Sequence, residues 1–280
     1  MLRIGLIGWP VKHSLSPPMH EAAFRACGLD ARYELVETPP GEVSETVRRL
    51  LAHGFRGWNA TVPHKAAMAT IVDQAEPVAQ AADSVNTVVV NDGCLAGYST
   101  DGYGLEEAIR EAFGMVVSGS SVGFIGAGGA ARACCMHFAN RGVRKLVIAN
   151  RTLDRASSLL SDVQSFQPDA LGAACSFADP PALQAALADV DVVIQATSVG
   201  LHSHDPSPIP AECLPKGIPV MDMVYRRTSF LHAAASRGSP TADGHAMLLH
   251  QGARSFELWT GREAPVPAMR QALENAMANR

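Results

Sequence analysis

No stretch of this sequence stays apolar for the roughly 18 residues that a membrane-crossing helix requires. Positive charge is not in excess either. The 23 Lys and Arg face 27 Asp and Glu, a formal charge of −4, which leaves no broad electrostatic footprint for nucleic acid or an anionic membrane. The six cysteines (Cys27, Cys94, Cys134, Cys135, Cys175, Cys213) include no CxxC pair and no disulfide-like framework, so they read as packing residues in a reducing compartment. HExxH and Cys/His metal spacings are missing. The nearest approach, His202-x-His204, sits in a Pro/Ser-rich loop, and no metal is expected. Internal repeats and low-complexity tracts are lacking too. The start, Met1 to Gly8, reads as a strand rather than a signal peptide, and a cytoplasmic location is expected.

What is present is a globular composition. The chain is 47% hydrophobic and 18% charged, with 24 glycines and 18 prolines scattered along 280 residues. That length accommodates two domains, each with its own core.

The first half alternates strands and helices. Strands are expected over 2–8, 32–37, 57–62 and 86–90, with helices from Pro17, over 42–53, 65–72 and 76–82, and from Asp101 to about Phe113. This pattern argues for a parallel-type open sheet with ligands at the strand ends. Ser14 and Ser16 fall at one such end, before a helix whose first turn suits Pro17 and Pro18. Hydroxyls placed there can hold a carboxylate, or one of them can simply cap the helix. In Asn59-Ala60-Thr61-Val62-Pro63-His64-Lys65 the proline fixes a turn and Lys65 sits where a strand end gives way to a helix. An ammonium there can donate a proton to an oxygen on which charge develops, with Asp101 as its carboxylate neighbour. The plainer alternative is a surface lysine and a helix-capping aspartate.

The second half carries Ser121-Val122-Gly123-Phe124-Ile125-Gly126-Ala127-Gly128-Gly129-Ala130-Ala131-Arg132, which reads as strand, glycine turn and helix over 130–141, followed by a strand over 145–149. Gly126 allows the tight turn, while Gly128 and Gly129 let backbone N–H groups reach a pyrophosphate at the helix N-terminus. Where an NAD site places an acidic residue after the second strand, this chain has Asn150-Arg151-Thr152 with Arg155 one turn on. Guanidinium groups match a 2′-phosphate, so NADP is favoured with NAD possible; the alternative is two surface arginines at a helix start. Further strands are expected over 190–196 and 219–225, then helices over 244–259 and 266–278. The expected class is α/β: an N-terminal open α/β substrate domain (1–100), a linking helix with a Rossmann dinucleotide-binding domain (101–243), and C-terminal helices (244–280) returning to the first domain, hinged by two helices.

Taken together, these motifs resemble the shikimate dehydrogenase family over nearly the whole chain. The family's GxPxxHSxSPxxH stands at Gly8 to His20, NxTxPxK at Asn59 to Lys65, VNT at Val85-Asn86-Thr87 and TDxxG at Thr100 to Gly104. The GAGGAxR loop, Asn-Arg-Thr-x-x-Arg, Asp-Met-x-Tyr and Gln-Gly-Ala-x-x-Phe-x-x-Trp (Gln251 to Trp259) follow in order. The resemblance implies that Ser14 and Ser16 hold the substrate carboxylate, and that Thr61, Asn86, Tyr225 and Gln251 hold its hydroxyls and ring. Lys65 and Asp101 form the catalytic pair. It also implies that Gly126, Ala127, Gly128, Gly129, Ala130, Asn150, Arg151, Thr152, Arg155, Met223 and Gly244 bind the cofactor. The implied activity is reversible reduction of 3-dehydroshikimate with NADPH, in aromatic amino acid biosynthesis, by a monomer or homodimer with a small-molecule substrate and no nucleic-acid or membrane partner.

Four departures from the family pattern bear on the pocket. Only Arg226-Arg227 separates Tyr225 from Thr228, where a longer loop is usual. Ser99 and Gln195 replace asparagines, and Ala246 replaces a glycine. These leave open a relative that oxidises quinate or an aminoshikimate with NAD or NADP. A ligand-sensing module without catalysis is a further alternative, disfavoured because sensing alone does not require both Lys65 and Asp101.

Overall fold

Strands rich in Val, Ile and Ala alternate with helices carrying one apolar face, and the chain builds two α/β units from them. The structure, a computed structural model, describes residues 1–279. One unit comprises residues 1–104 and the segment from Leu249 onward, the other residues 105–248.

The first unit holds β1 (Leu2–Gly8), α1 (Ser16–Ala26), β2 (Ala31–Glu37), α2 (Val43–Ala52), β3 (Phe55–Ala60), α3 (Lys65–Ile71), β4 (Gln74–Ala75), α4 (Pro77–Ala82), β5 (Thr87–Asn91), β6 (Cys94–Tyr98) and the start of α5 (Asp101–Phe113). Its six-stranded sheet has the order β2-β1-β3-β5-β6-β4. The parallel sheet expected from the sequence needs correcting, because the sheet is mixed: β5 runs antiparallel to both β3 and β6. The cause is local. Asp92 (φ 49°) and Gly93 (φ 87°) form a two-residue turn, which joins strands only as a hairpin. Reversal of β5 brings its beginning, beside Asn86, to the edge where β1 and β3 end. Behind this edge Trp58, Met68, Val85 and Val88 form a core with no solvent exposure.

The second unit continues α5 and adds β7 (Ser121–Ile125), α6 (Gly129–Asn140), β8 (Lys145–Asn150), α7 (Leu153–Phe166), β9 (Leu171–Ser176), α8 (Pro180–Leu187), β10 (Val192–Gln195), β11 (Val220–Asp222), α9 (Ser229–Ser236) and β12 (Thr241–Ala242). Its sheet order is β12-β11-β10-β7-β8-β9, and every pairing is parallel. This is the doubly wound order, with a switch point between β7 and β10 where the glycine loop emerges. The strands expected over 190–196 and 219–225 are shorter, so Met223 and Tyr225 lie in the turn beyond β11. Between 153 and 187 the sequence reading gave neither β9 nor α8.

Of the last two helices, α10 (His245–Thr260) begins in the second unit and ends in the first, and α11 (Val266–Ala278) packs on α1. Gln251, Ser255 and Trp259, four residues apart, share one face of α10. The Trp259 indole donates to the Val88 carbonyl (2.9 Å) and lies over Gly57, where a Cβ would come within 2.6 Å of it. Cys134, Cys135, Cys175 and Cys213 are buried thiols outside any disulfide. No helix is long and apolar enough to cross a membrane, and no cluster of metal-ligating side chains occurs among the described residues.

Candidate active site

The edge created by the reversed β5 collects polar side chains from four elements. Lys65 is the first residue of α3, after a turn closed by the His64 N–H on the Thr61 carbonyl (2.8 Å). The buried His64 ring bonds through Nε2 to the Thr38 carbonyl at 2.6 Å, which fixes the residue before the lysine. Asp101 opens α5, where the helix dipole favours a carboxylate. The Lys65 ammonium donates to Asp101 Oδ2 at 2.5 Å, with the lysine side chain 24% and the aspartate 7% exposed. An ion pair this sheltered is weakly screened by salt and holds the ammonium in one place.

Asn86 completes the arrangement. Its Nδ2 donates to Asp101 Oδ1 (2.8 Å) and Thr100 Oγ1 (2.9 Å), while its Oδ1 accepts from the Thr100 N–H (2.8 Å). Gln251 stands at the margin, with Oε1 3.5 Å from Asn86 Nδ2. Thr61 follows β3 directly, its N–H bonded to the Ile7 carbonyl (2.9 Å). A Cβ on Gly8 would come within 2.4 Å of Thr61 Cγ2, so glycine there gives Thr61 its place.

The two serines behave differently from each other. Ser14 Oγ accepts from the Ser16 N–H at 3.1 Å, at the entry to α1. Ser16 is buried, and its hydroxyl bonds with that of Tyr33; burial drives the Tyr33 phenol above its ordinary value and this bond opposes the rise. Tyr33 in turn donates to Asn59 Oδ1 (2.7 Å), and Asn59 Nδ2 reaches the Asn86 carbonyl, Thr87 Oγ1 and Ser255 Oγ at 3.0–3.1 Å. The sequence reading missed Tyr33 and Ser255 and gave Asn59 no role. The only sequence signal for Asn59 and Ser255 is their place inside motifs, and Tyr33 carries none, since the partners lie up to 196 positions apart.

In the second unit, Gly126 adopts φ 118°, and a Cβ there would come within 2.8 Å of Thr197. Gly128 caps α6 and Gly129 is its first residue. A Cβ at either would meet nothing within 4 Å, so the backbone N–H groups at this helix end are open to a pyrophosphate. A cavity of about 490 Å³ lies here, walled by Gly128, Gly129, Arg132, Asp154, Arg155 and Ser158. Ala127 shares that wall, and Ala130 is exposed beside it. Asn150, whose Nδ2 donates to the Thr152 carbonyl (2.9 Å), ends β8, and Arg151, Thr152 and Arg155 are exposed around the start of α7. Open glycines and free-standing guanidinium groups are what a phosphorylated dinucleotide requires, so the residues fit NADP.

The loops after β10 and β11 are tied together by Asp222. This buried carboxylate accepts from Gln195 Nε2 (3.2 Å), the Val224 N–H (2.9 Å) and Thr228 Oγ1 (2.6 Å). Burial pushes it up to about 6 against those bonds. Gln195 also donates to the Val199 carbonyl (2.7 Å) and accepts from the Thr197 N–H, so its extra methylene is used to hold the loop. Thr228 caps α9, and the short Arg226-Arg227 link is thereby closed. Met223 bonds through its N–H to the Gln195 carbonyl (3.0 Å). Its own carbonyl presses on Gly244, where a Cβ would stand 2.2 Å away. Tyr225 belongs to this second unit, 48% exposed, with its ring 5.9 Å from that of His245.

Three family models match the chain: the shikimate dehydrogenase substrate binding domain over residues 6–88, shikimate / quinate 5-dehydrogenase over 107–203 and the shikimate 5′-dehydrogenase C-terminal domain over 244–274. A shikimate dehydrogenase (NADP(+)) of Moorella thermoacetica is 41% identical across 98% of this chain and 93% of its own. The chain belongs to the shikimate dehydrogenase family. Solved members of the family share its architecture. Shikimate 5-dehydrogenase of Listeria monocytogenes, in complex with shikimate and NAD, superposes with a TM-score of 0.91 at 35% identity, covering 98% of this chain and 96% of that one. The Thermus thermophilus enzyme, in complex with NADP(H) and shikimate, gives 0.86 at 35%, covering 99% and 100%.

Proposed function

We propose that this chain interconverts 3-dehydroshikimate and shikimate with NADP as the redox partner, a step of aromatic amino acid biosynthesis. The observation that carries the reading is the sheltered 2.5 Å pair of Lys65 and Asp101 at an edge lined by Asn86, Thr61 and Gln251. When bound, the dinucleotide supplies the hydride in reduction and takes it in oxidation. The protein's own part is proton transfer and positioning. In reduction the Lys65 ammonium gives its proton to the oxygen of the reacting carbonyl as negative charge develops there. In oxidation the neutral amine takes the proton of the hydroxyl. Asp101 holds the amine and offers its other oxygen, braced by Asn86, to a neighbouring hydroxyl. Ser14 and Ser16 bind the carboxylate, with Thr61, Asn86, Gln251 and Tyr225 on the hydroxyls and ring. Cofactor binding falls to Gly126, Ala127, Gly128, Gly129 and Ala130 for the pyrophosphate, to Asn150, Arg151, Thr152 and Arg155 for the 2′-phosphate, and to Met223 and Gly244 for the nicotinamide end.

Steady-state turnover of shikimate and quinate with each of NADP and NAD tests this reading. It predicts the highest kcat/KM for shikimate with NADP. A clear preference for quinate with NAD would overturn it in favour of a quinate-oxidising relative.

A further inference from the structure

Ser255, on α10, contributes one hydroxyl with no solvent exposure to a junction of four elements. Its Oγ accepts from Asn59 Nδ2 (3.1 Å), lies 2.8 Å from Thr87 Oγ1 and 3.3 Å from Thr100 Oγ1, and faces the Gln251 carbonyl at 3.0 Å. A backbone donor fixes the direction of the bonds beyond it. The Thr100 N–H can only donate, so the oxygen of the Asn86 amide must face it and the NH₂ must face Asp101. That same Asn86 oxygen accepts from Thr87 Oγ1 at 3.0 Å. With its proton committed to Asn86, Thr87 can only accept across the 2.8 Å contact, so the single Ser255 proton is shared between Thr87 Oγ1 and the Gln251 carbonyl. The chain Ser255, Thr87, Asn86, Asp101, Lys65 is then a donor-to-acceptor series up to the carboxylate, which takes its last bond from the ammonium.

We propose that Ser255 is a positioning residue for the Lys65–Asp101 pair: its hydroxyl, working through Thr87 and Asn86, sets the orientation of the Asp101 carboxylate. This rests on the reading of that pair as the proton-transfer group. A helix returning from far along the chain thereby acts on the reacting edge through a side chain that touches neither substrate nor cofactor.

The test is a double-mutant cycle on the full-length enzyme, with kcat, KM for shikimate, the pH profile of kcat and the melting temperature measured for wild type, Ser255→Ala, Asp101→Asn and the double variant. The expectation for Ser255→Ala is a kcat lower by about tenfold, the size of one hydrogen bond lost in the transition state. KM should change little and the pH profile should shift. In the Asp101→Asn background the same substitution should leave kcat unaltered while still lowering the melting temperature. An equal loss of kcat in both backgrounds, or a lowered melting temperature with kcat and pH profile intact, would make Ser255 a packing residue and overturn the proposal. If Asp101→Asn itself keeps wild-type turnover, the reading of the pair fails instead. Thr87→Val removes the same link at similar volume and carries the cycle should Ser255→Ala not fold.

Discussion

Arg151 and Arg155 stand exposed at the start of α7, where a carboxylate would otherwise accept from a ribose hydroxyl. A guanidinium bond to phosphate contributes about 1.5–3 kcal/mol, so Arg151→Ala is expected to raise KM for NADP by roughly 10- to 100-fold. KM for NAD should change little, and a steady-state titration of both cofactors reads the difference. At this scale, positions set by a local motif were legible in the sequence: Lys65 after its proline turn, the glycines after β7 and the arginines after β8 lie where their motifs put them. Ser255, Tyr33 and Asp222 were not. Each acts through partners brought together only by folding, as when Ser255 meets Asn59, and a buried serine in a helix looks like any other in sequence.

Among the elements, the contact between the turn after β11 and the start of α10 leaves the least room. Gly244 lies against the Met223 carbonyl, so Gly244→Ala forces backbone to move, an overpacking cost of about 1–3 kcal/mol. The expected result is a lower melting temperature together with a severalfold higher KM for NADP, since Met223 is displaced with it. Differential scanning calorimetry and cofactor titration check the two halves. Helices such as α2 and α6 and the buried strands β1, β7 and β8 were readable from their apolar patterns, whereas α8, α9, β9 and β12 were not. The direction of β5 was missed because it depends on the Asp92-Gly93 turn and on β6, a strand that the sequence reading left out. That reversal sets Asn86 beside Asp101, at the edge proposed for the reaction.

For the molecule as a whole, two buried groups give the two units opposite pH terms. His20 is fully buried, stacked on Tyr33 (ring centroids 4.5 Å), with no hydrogen-bond partner on either ring nitrogen, and burial lowers it from 6.5 to about 3. The unfolded chain therefore binds a proton that the folded one refuses. The His20 contribution to the first unit is complete above about pH 6.5 and is lost progressively as pH falls toward 3. Asp222 has the reverse sign: raised from 3.8 to about 6, it favours the second unit at low pH and loses that contribution as pH rises through 6. His20→Leu is expected to flatten the acid side of the stability curve, so that the difference in melting temperature from wild type changes in the variant's favour between pH 6.5 and 4. Thermal melts across that range check it.

The division into two units was legible from the glycine fingerprint following a complete α/β pattern. The exact residues at which α5 and α10 pass from one unit to the other were not, since both transitions occur inside continuous helices with no break in composition. The account depends most on the ammonium at the head of α3, and kcat for shikimate oxidation by Lys65→Ala tests it most directly. The expected result is a fall in kcat of the order of 10² or more with a much smaller change in KM for shikimate, as for loss of a general acid–base group. Wild-type turnover in a folded Lys65→Ala enzyme would contradict it.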